Sequence, residues 1–187
     1  MSDFPERKHA RAQWFEYNEG LYFITICTKD KGHNFGYVSD GEMHLSELGY
    51  TLYDYIAKIS EHYPNVDIPQ WVVMPNHFHA IVYIIPAISQ TTPTSITAAN
   101  NECAPNKRCF TRKSDNREIL AVTIGGLKAA VTRHAHQHHI TFAWQSGFHD
   151  RIIRNEKELN LISEYISNNP ARWCYDCFNP FRIAEHP

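Results

Sequence analysis

Two apolar runs, residues 68–74 and 77–85, are separated by Pro75 and Asn76 alone. Both intervening residues are turn formers, and the gap is about that of a tight hairpin, so the runs are predicted to pair antiparallel. Side chains alternate along a strand, which puts His77 and His79 on one face with Cα atoms roughly 6.5 to 7 Å apart. Phe78 then turns to the other face, the core face, with Ala80, Val82 and Ile84. Two imidazoles sharing a face can converge on one ion. The commoner reading of such spacing is a partly exposed pair hydrogen-bonded to its neighbours, and spacing alone leaves both open.

The remaining pattern supplies partners for that hairpin. Residues 21–28 are β-branched and aromatic and run into Lys29-Asp30-Lys31-Gly32, which marks a buried strand and a turn. Residues 35–38 and 42–45 flank Ser39-Asp40-Gly41 as a short hairpin. Ser46 is placed to cap a helix carrying Leu48, Leu52, Ile56 and Ile59 at helical spacing and ending near Tyr63-Pro64. A second helix is expected from Arg117 or Glu118 to about Gln137, with Leu120, Ile124, Leu127 and Val131 on one face and Gly125-Gly126 weakening it. Residues 142–153 read as a strand with its entry loop. Asn155, with Glu158 three residues on, opens a last helix that Pro170 stops near Asn169. This order predicts an α+β fold, an antiparallel sheet with helices packed on one face.

The 187 residues, 43% hydrophobic and 13% aromatic, suit one cored domain over 1–187. Residues 86–117 interrupt it with Ser, Thr, Asn, Ala and Pro in no hydrophobic period, so an insertion is expected there, basic in its later half at Lys107, Arg108, Arg112 and Lys113. No apolar run is long enough for a bilayer, and the first residues lack a leader's apolar stretch, so the reading is cytoplasmic with no membrane partner. Cys27, Cys103, Cys109, Cys174 and Cys177 are odd in number and irregularly spaced, as reduced thiols would be. A formal net charge of −2 excludes a strongly basic nucleic-acid coat protein. Any nucleic-acid surface must therefore be local, from Arg7, Lys8 and Arg11, the 107–117 stretch, Lys128 and Arg133, or Arg151 and Arg154. Taken singly, each of these charges reads first as part of a solvated surface.

On the last helix Tyr165 and Asn169 are four apart and so lie one above the other, offering a phenol and an amide oxygen to one small volume. Beside Leu161, Ile162 and Ile166 the same tyrosine also fits as a core residue. Two further patterns have metal-binding spacing: His134 and His138 four apart, and Cys174-Tyr175-Asp176-Cys177. Neither has a clear partner pair in the sequence, and the histidine run 134–139 is read as a surface helix end with incidental affinity for metals.

Trp71-Val72-Val73-Met74-Pro75-Asn76-His77-Phe78-His79 closely resembles the histidine-hydrophobe-histidine signature of the single-tyrosine transposases, in particular the REP-associated tyrosine transposases with their IS200-like domain. The segments 22–28, 144–154 and 165–170 match in the same order, so the resemblance spans most of the chain apart from the insertion. It implies a ferredoxin-like domain in which His77 and His79 hold a divalent metal, Mg or Mn, and Tyr165 is the nucleophile. In such enzymes the tyrosine attacks single-stranded DNA, often beside a hairpin or palindromic repeat, leaving a 5′-phosphotyrosine and a free 3′-hydroxyl that later rejoins strands. Asn169 occupies the place of the third metal ligand, where relatives commonly carry another amide or a carboxylate. Lys128 and Arg133 resemble a basic position of the family, and Arg151 and Arg154 are expected near bound DNA. Relatives act as monomers or homodimers. The alternative from another class is a domesticated relative that binds hairpin DNA or RNA without cutting it.

Overall fold

The hairpin forms where Pro75 and Asn76 predict it, and the main sheet is built around it. The computed structural model describes residues 20–85 and 116–183. The basic candidates Arg7, Lys8, Arg11, Lys107, Arg108, Arg112 and Lys113, together with Cys103 and Cys109, lie outside the described residues, as does nearly all of the 86–117 insertion. In chain order the elements are β1 (Leu21–Cys27), β2 (Gly36–Ser39), β3 (Glu42–Leu45), α1 (Glu47–Ala57), α2 (Ile59–His62), β4 (Val66–Val73), β5 (His77–Ile84), α3 (Asn116–Gln137), β6 (His149–Ile152) and α4 (Glu156–Asn168).

The main sheet has the order β4-β5-β1-β6, and every pair in it is antiparallel. Crossovers through α1 and α3 make this the ferredoxin-like arrangement, in the α+β class expected from the sequence. Strand alternation sorts side chains onto two faces. Tyr22, Ile24 and Ile26 of β1 and Phe78, Ala80, Val82 and Ile84 of β5 meet Leu48, Leu52, Leu120, Ile124 and Leu127 of α1 and α3 in the larger core. On the opposite face Leu21, Val72, Met74 and Ile81 meet Leu159 and Ile166 of α4 and Trp173. The expected covered face is thus the work of α1 and α3, and α4 adds partial cover to the other face. β2 and β3 form a separate two-stranded hairpin.

Local chemistry sets the helix ends. Ser46 Oγ accepts from Gly49 N at 3.1 Å and caps α1, and Asn155 Oδ1 accepts from Glu158 N at 2.8 Å and caps α4. The helix expected to run to Tyr63 divides at Lys58, where backbone dihedrals leave the helical region. Gly125 and Gly126 do not interrupt α3, which continues for 22 residues. A Cβ at Gly126 would lie 1.8 Å from the Tyr63 hydroxyl, so the second glycine makes room for a side chain of the neighbouring layer. The strand expected over 142–153 is regular only at β6; upstream, Trp144 makes an isolated bridge to Thr28, and Gly147 turns the chain at φ 69°. Among the described residues no helix is long and apolar enough to cross a membrane.

Candidate metal and nucleophile site

His77 and His79 begin β5 and point to the α4 face, both almost fully buried. Each ring is held from behind. The buried Asn76 amide nitrogen donates to Lys31 O at 3.2 Å and Phe178 O at 2.8 Å. This fixes the amide orientation, so its oxygen accepts from His77 Nδ1 at 2.8 Å and the lone pair of His77 is left on Nε2. His79 Nδ1 bonds Thr25 Oγ1 at 2.8 Å, directly across the β1–β5 ladder. The two Nε2 atoms therefore face each other, 3.0 Å apart. Burial holds His77 well below the usual imidazole range, and the neighbouring His79 and Lys31 push it the same way. Burial lowers His79 to about 3, against an opposing hydrogen bond to Ile24. Both rings are accordingly neutral near pH 7, the form that binds metals.

α4 is docked on this face by a polar clamp. Gln70 of β4, mostly buried, donates to Ser163 O and Ser167 Oγ, each at 3.0 Å, and accepts from Ser163 Oγ at 2.5 Å. Tyr165 lies between those two anchor residues. Its hydroxyl reaches His79 Nε2 at 3.1 Å, and its ring packs edge-on to His79 and Phe23. The phenol is raised to about 12, first by burial and then by Asp176, with a hydrogen bond from Asn169 pulling it back.

Asn169 is the C-cap of α4 and is buried. Its side chain also bonds Asp176, yet its own Oδ1 is buried with no hydrogen-bond partner. Asp176 follows the short 3-10 turn Trp173–Tyr175. Phe178 N donates to its Oδ1 at 2.7 Å, and its Oδ2 lies 4.0 Å from His77 Nε2. Burial raises this carboxyl above its ordinary range. Trp173 and Phe178 pack against the His77 ring with centroids 6.1 and 4.4 Å away.

These donors suit a divalent cation. Ligand atoms of His77, His79 and Asp176 all lie within 4.8 Å of one another, and the orphaned Asn169 Oδ1 supplies a buried acceptor that an ion would satisfy. The 3.0 Å between the two Nε2 atoms is the separation of adjacent ligands around an ion with bonds of about 2.1 Å. Neither Cys174 nor Cys177 joins this group, and both are free thiols.

Of the residues singled out by sequence, the structure thus gathers His77, His79, Tyr165 and Asn169. Arg151 lies opposite Phe23 in the β1–β6 ladder and so shares the site's face, but its guanidinium is ion-paired with Glu158. Arg154 is exposed at the entry to α4. Lys128 donates to Gln145 O at 2.9 Å and Gly147 O at 2.5 Å, so its ammonium fastens the loop before β6. Arg133 is exposed on α3, in the layer across the sheet from the histidines. Sequence reasoning missed Asp176, Thr25 and Asn76 as contributors. Asn76 lies inside the Trp71–His79 motif, where a turn-forming residue type conceals its support of His77, and Asp176 is signalled only as the filling of a CxxC pair.

No family model matches the chain. An uncharacterized protein of Haemophilus influenzae is 33% identical over 174 residues, covering 91% of each chain. The two proteins belong to one family. Among solved structures, a REP-associated tyrosine transposase bound to a REP hairpin aligns with a TM-score of 0.50 and 19% identity, over 89% of this chain and 74% of that one. A candidate transposase from Deinococcus radiodurans aligns with a TM-score of 0.42 and 16% identity, over 86% of this chain and 96% of the other. The first of these structures shares this chain's fold, consistent with the strand order described above.

Proposed function

We propose that this protein is a metal-dependent enzyme that nicks and rejoins single-stranded DNA, with Tyr165 as nucleophile and the whole chain, 1–187, as one catalytic domain. The observation that carries the reading is the Tyr165 hydroxyl 3.1 Å from His79 Nε2, beside two inward-facing imidazoles, a carboxylate and an orphaned amide oxygen. His77 and His79 would hold the ion, Mg or Mn, with Asn169 or Asp176 adding oxygen. When bound, such an ion polarises a non-bridging phosphate oxygen, draws off developing negative charge and favours the phenolate.

The chain's own groups do the rest. Tyr165, 43% exposed, gives its proton to water, and its oxygen forms a bond to phosphorus while the bond from phosphorus to the 3′-oxygen breaks. That oxygen takes a proton and leaves as a free 3′-hydroxyl; the 5′-phosphate stays on the tyrosine. Attack by a 3′-hydroxyl reverses the step and joins strands. Because nucleophile and histidines come from one chain, a monomer suffices for the proposed site. Arg151, on the site's face, and Arg154, at the entry to α4, would contact backbone phosphates and add affinity without sequence choice. The fold shared with a transposase that was solved on a REP hairpin supports hairpin-bearing single strands as substrate.

The test uses a single-stranded oligonucleotide carrying a hairpin, incubated with the full chain and Mn2+ and resolved on a denaturing gel. A covalent protein–DNA band is expected for the wild type, lost in Tyr165→Phe while binding is retained. Undiminished capture in that variant removes Tyr165 from the mechanism. Hairpin binding by the wild type without any nicking would instead mark a recognition module.

A further inference from the structure

We propose a second metal site, of the zinc class, formed by Glu47, His134 and His138 on the other side of the sheet and independent of the function proposed above. His134 and His138 are four apart at the end of α3, where the helical bond from His138 N to His134 O is still made at 3.0 Å. Their rings stack with centroids 4.1 Å apart and planes within 19°. Spacing alone would leave them an ordinary helix end. The added observation is that Glu47, 87 residues earlier, brings one carboxylate oxygen to both: Oε1 is 3.1 Å from His134 Nε2 and 2.8 Å from His138 Nδ1.

That convergence is anchored at the backbone. Glu47 is the first residue of α1, behind the Ser46 cap, whose hydroxyl also donates to Asn34 O at 2.7 Å. α1 and α3 are locked together through buried Leu48, Leu52, Leu127 and Val131. Immediately after His138 the chain reverses at His139, φ 56°. Only side-chain adjustment is therefore needed to admit an ion among three donors that already lie within 4.8 Å of one another.

The donor set selects the cation. Two imidazoles and one carboxylate suit Zn2+ and its transition-metal neighbours, whereas Mg2+ and Ca2+ favour oxygen cages. To bind, each ring would turn to the ion the nitrogen that now faces Glu47 and keep its proton on the other nitrogen. Three protein ligands leave a fourth position to water. The ion ties the start of α1 to the end of α3, bracing the point from which the chain departs towards the loop that Lys128 fastens.

The experiment titrates Zn2+ into the chelator-stripped full chain and follows histidine ring nitrogens by long-range proton–nitrogen NMR, which separates this site from His77 and His79. By the second equivalent the His134 and His138 rings should shift together, with no such change on adding Mg2+. Glu47→Gln should weaken that response at least about tenfold, and His138→Ala, an exposed substitution, should abolish it at His134. Rings of His134 and His138 unmoved by two equivalents of Zn2+, or Zn2+ shifts at His136 or His139 in their place, would overturn the assignment.

Discussion

Acid should unfold the metal-free protein by way of its buried histidines, and His79 sets the scale. Its folded value near 3 lies far below the ordinary imidazole value of about 6.5. Below pH 6.5 the unfolded chain takes up a proton that the folded chain refuses, so stability falls with pH until the folded value is reached. At about 1.4 kcal/mol per pH unit once the unfolded imidazole is fully protonated, acidification from 6.5 to 4.5 removes about 2 kcal/mol through His79 alone. His77 acts in the same direction. Asp176 opposes them, since its raised carboxyl takes a proton more readily folded than unfolded. A loss of that size is a large share of the roughly 5 to 15 kcal/mol typical of a folded domain. Urea unfolding in the presence of a chelator, at pH 7.0 and 4.5, measures it. In His79→Gln the drop between the two pH values should shrink by roughly 2 to 3 kcal/mol relative to wild type. Equal drops in the two proteins would refute the argument, because they would mean that His79 titrates alike folded and unfolded.

Asp176→Asn should weaken Mn2+ binding about 10- to 100-fold by isothermal titration while leaving the circular dichroism spectrum unchanged, an effect of the size seen when a group supporting a metal site is removed. Lys128→Met and Arg154→Ala should separate two roles in DNA binding: the slope of log affinity against log salt falls by about one for Arg154→Ala. It stays unchanged for Lys128→Met, whose ammonium is already committed to Gln145 and Gly147. Thermal unfolding should distinguish the paired glycines of α3. Gly125→Ala has nothing within 4 Å of its new methyl and should gain up to about 1 kcal/mol, whereas Gly126→Ala, directed at the Tyr63 hydroxyl, should lose stability.

What was legible in the sequence was what period and punctuation encode. Pro75-Asn76 fixed the hairpin, alternation fixed which face His77 and His79 share, and Asn155 with Pro170 bounded α4 to within a residue or two. Four-residue spacing brought Tyr165 and Asn169 together. What stayed hidden depends on contacts distant in sequence. The Gln70 clamp to Ser163 and Ser167 spans 93 and 97 residues, and nothing local in β4 announces it. Asp176 lies in an aromatic segment without hydrophobic period, so its approach to His77 follows from where Trp173 and Phe178 find burial. Lys128 resembles a basic position of the family, and only the fold brings its ammonium to the carbonyls of Gln145 and Gly147.

The histidine site and the fold depend on the same alternation. Phe78 is wholly buried in the larger core, and that burial is what turns His77 and His79 to the α4 face. A one-residue slip of β5 against β1 would send both imidazoles into the apolar layer under α1 and α3 and push Phe78 out beside Tyr165. It would also part His79 from Thr25 across the ladder. The core is therefore the device that aims the imidazoles, and the Gln70 clamp is the device that aims the phenol. Between them they assemble, from elements as far apart in the chain as β1 and Asp176, a cluster that local sequence could only half describe.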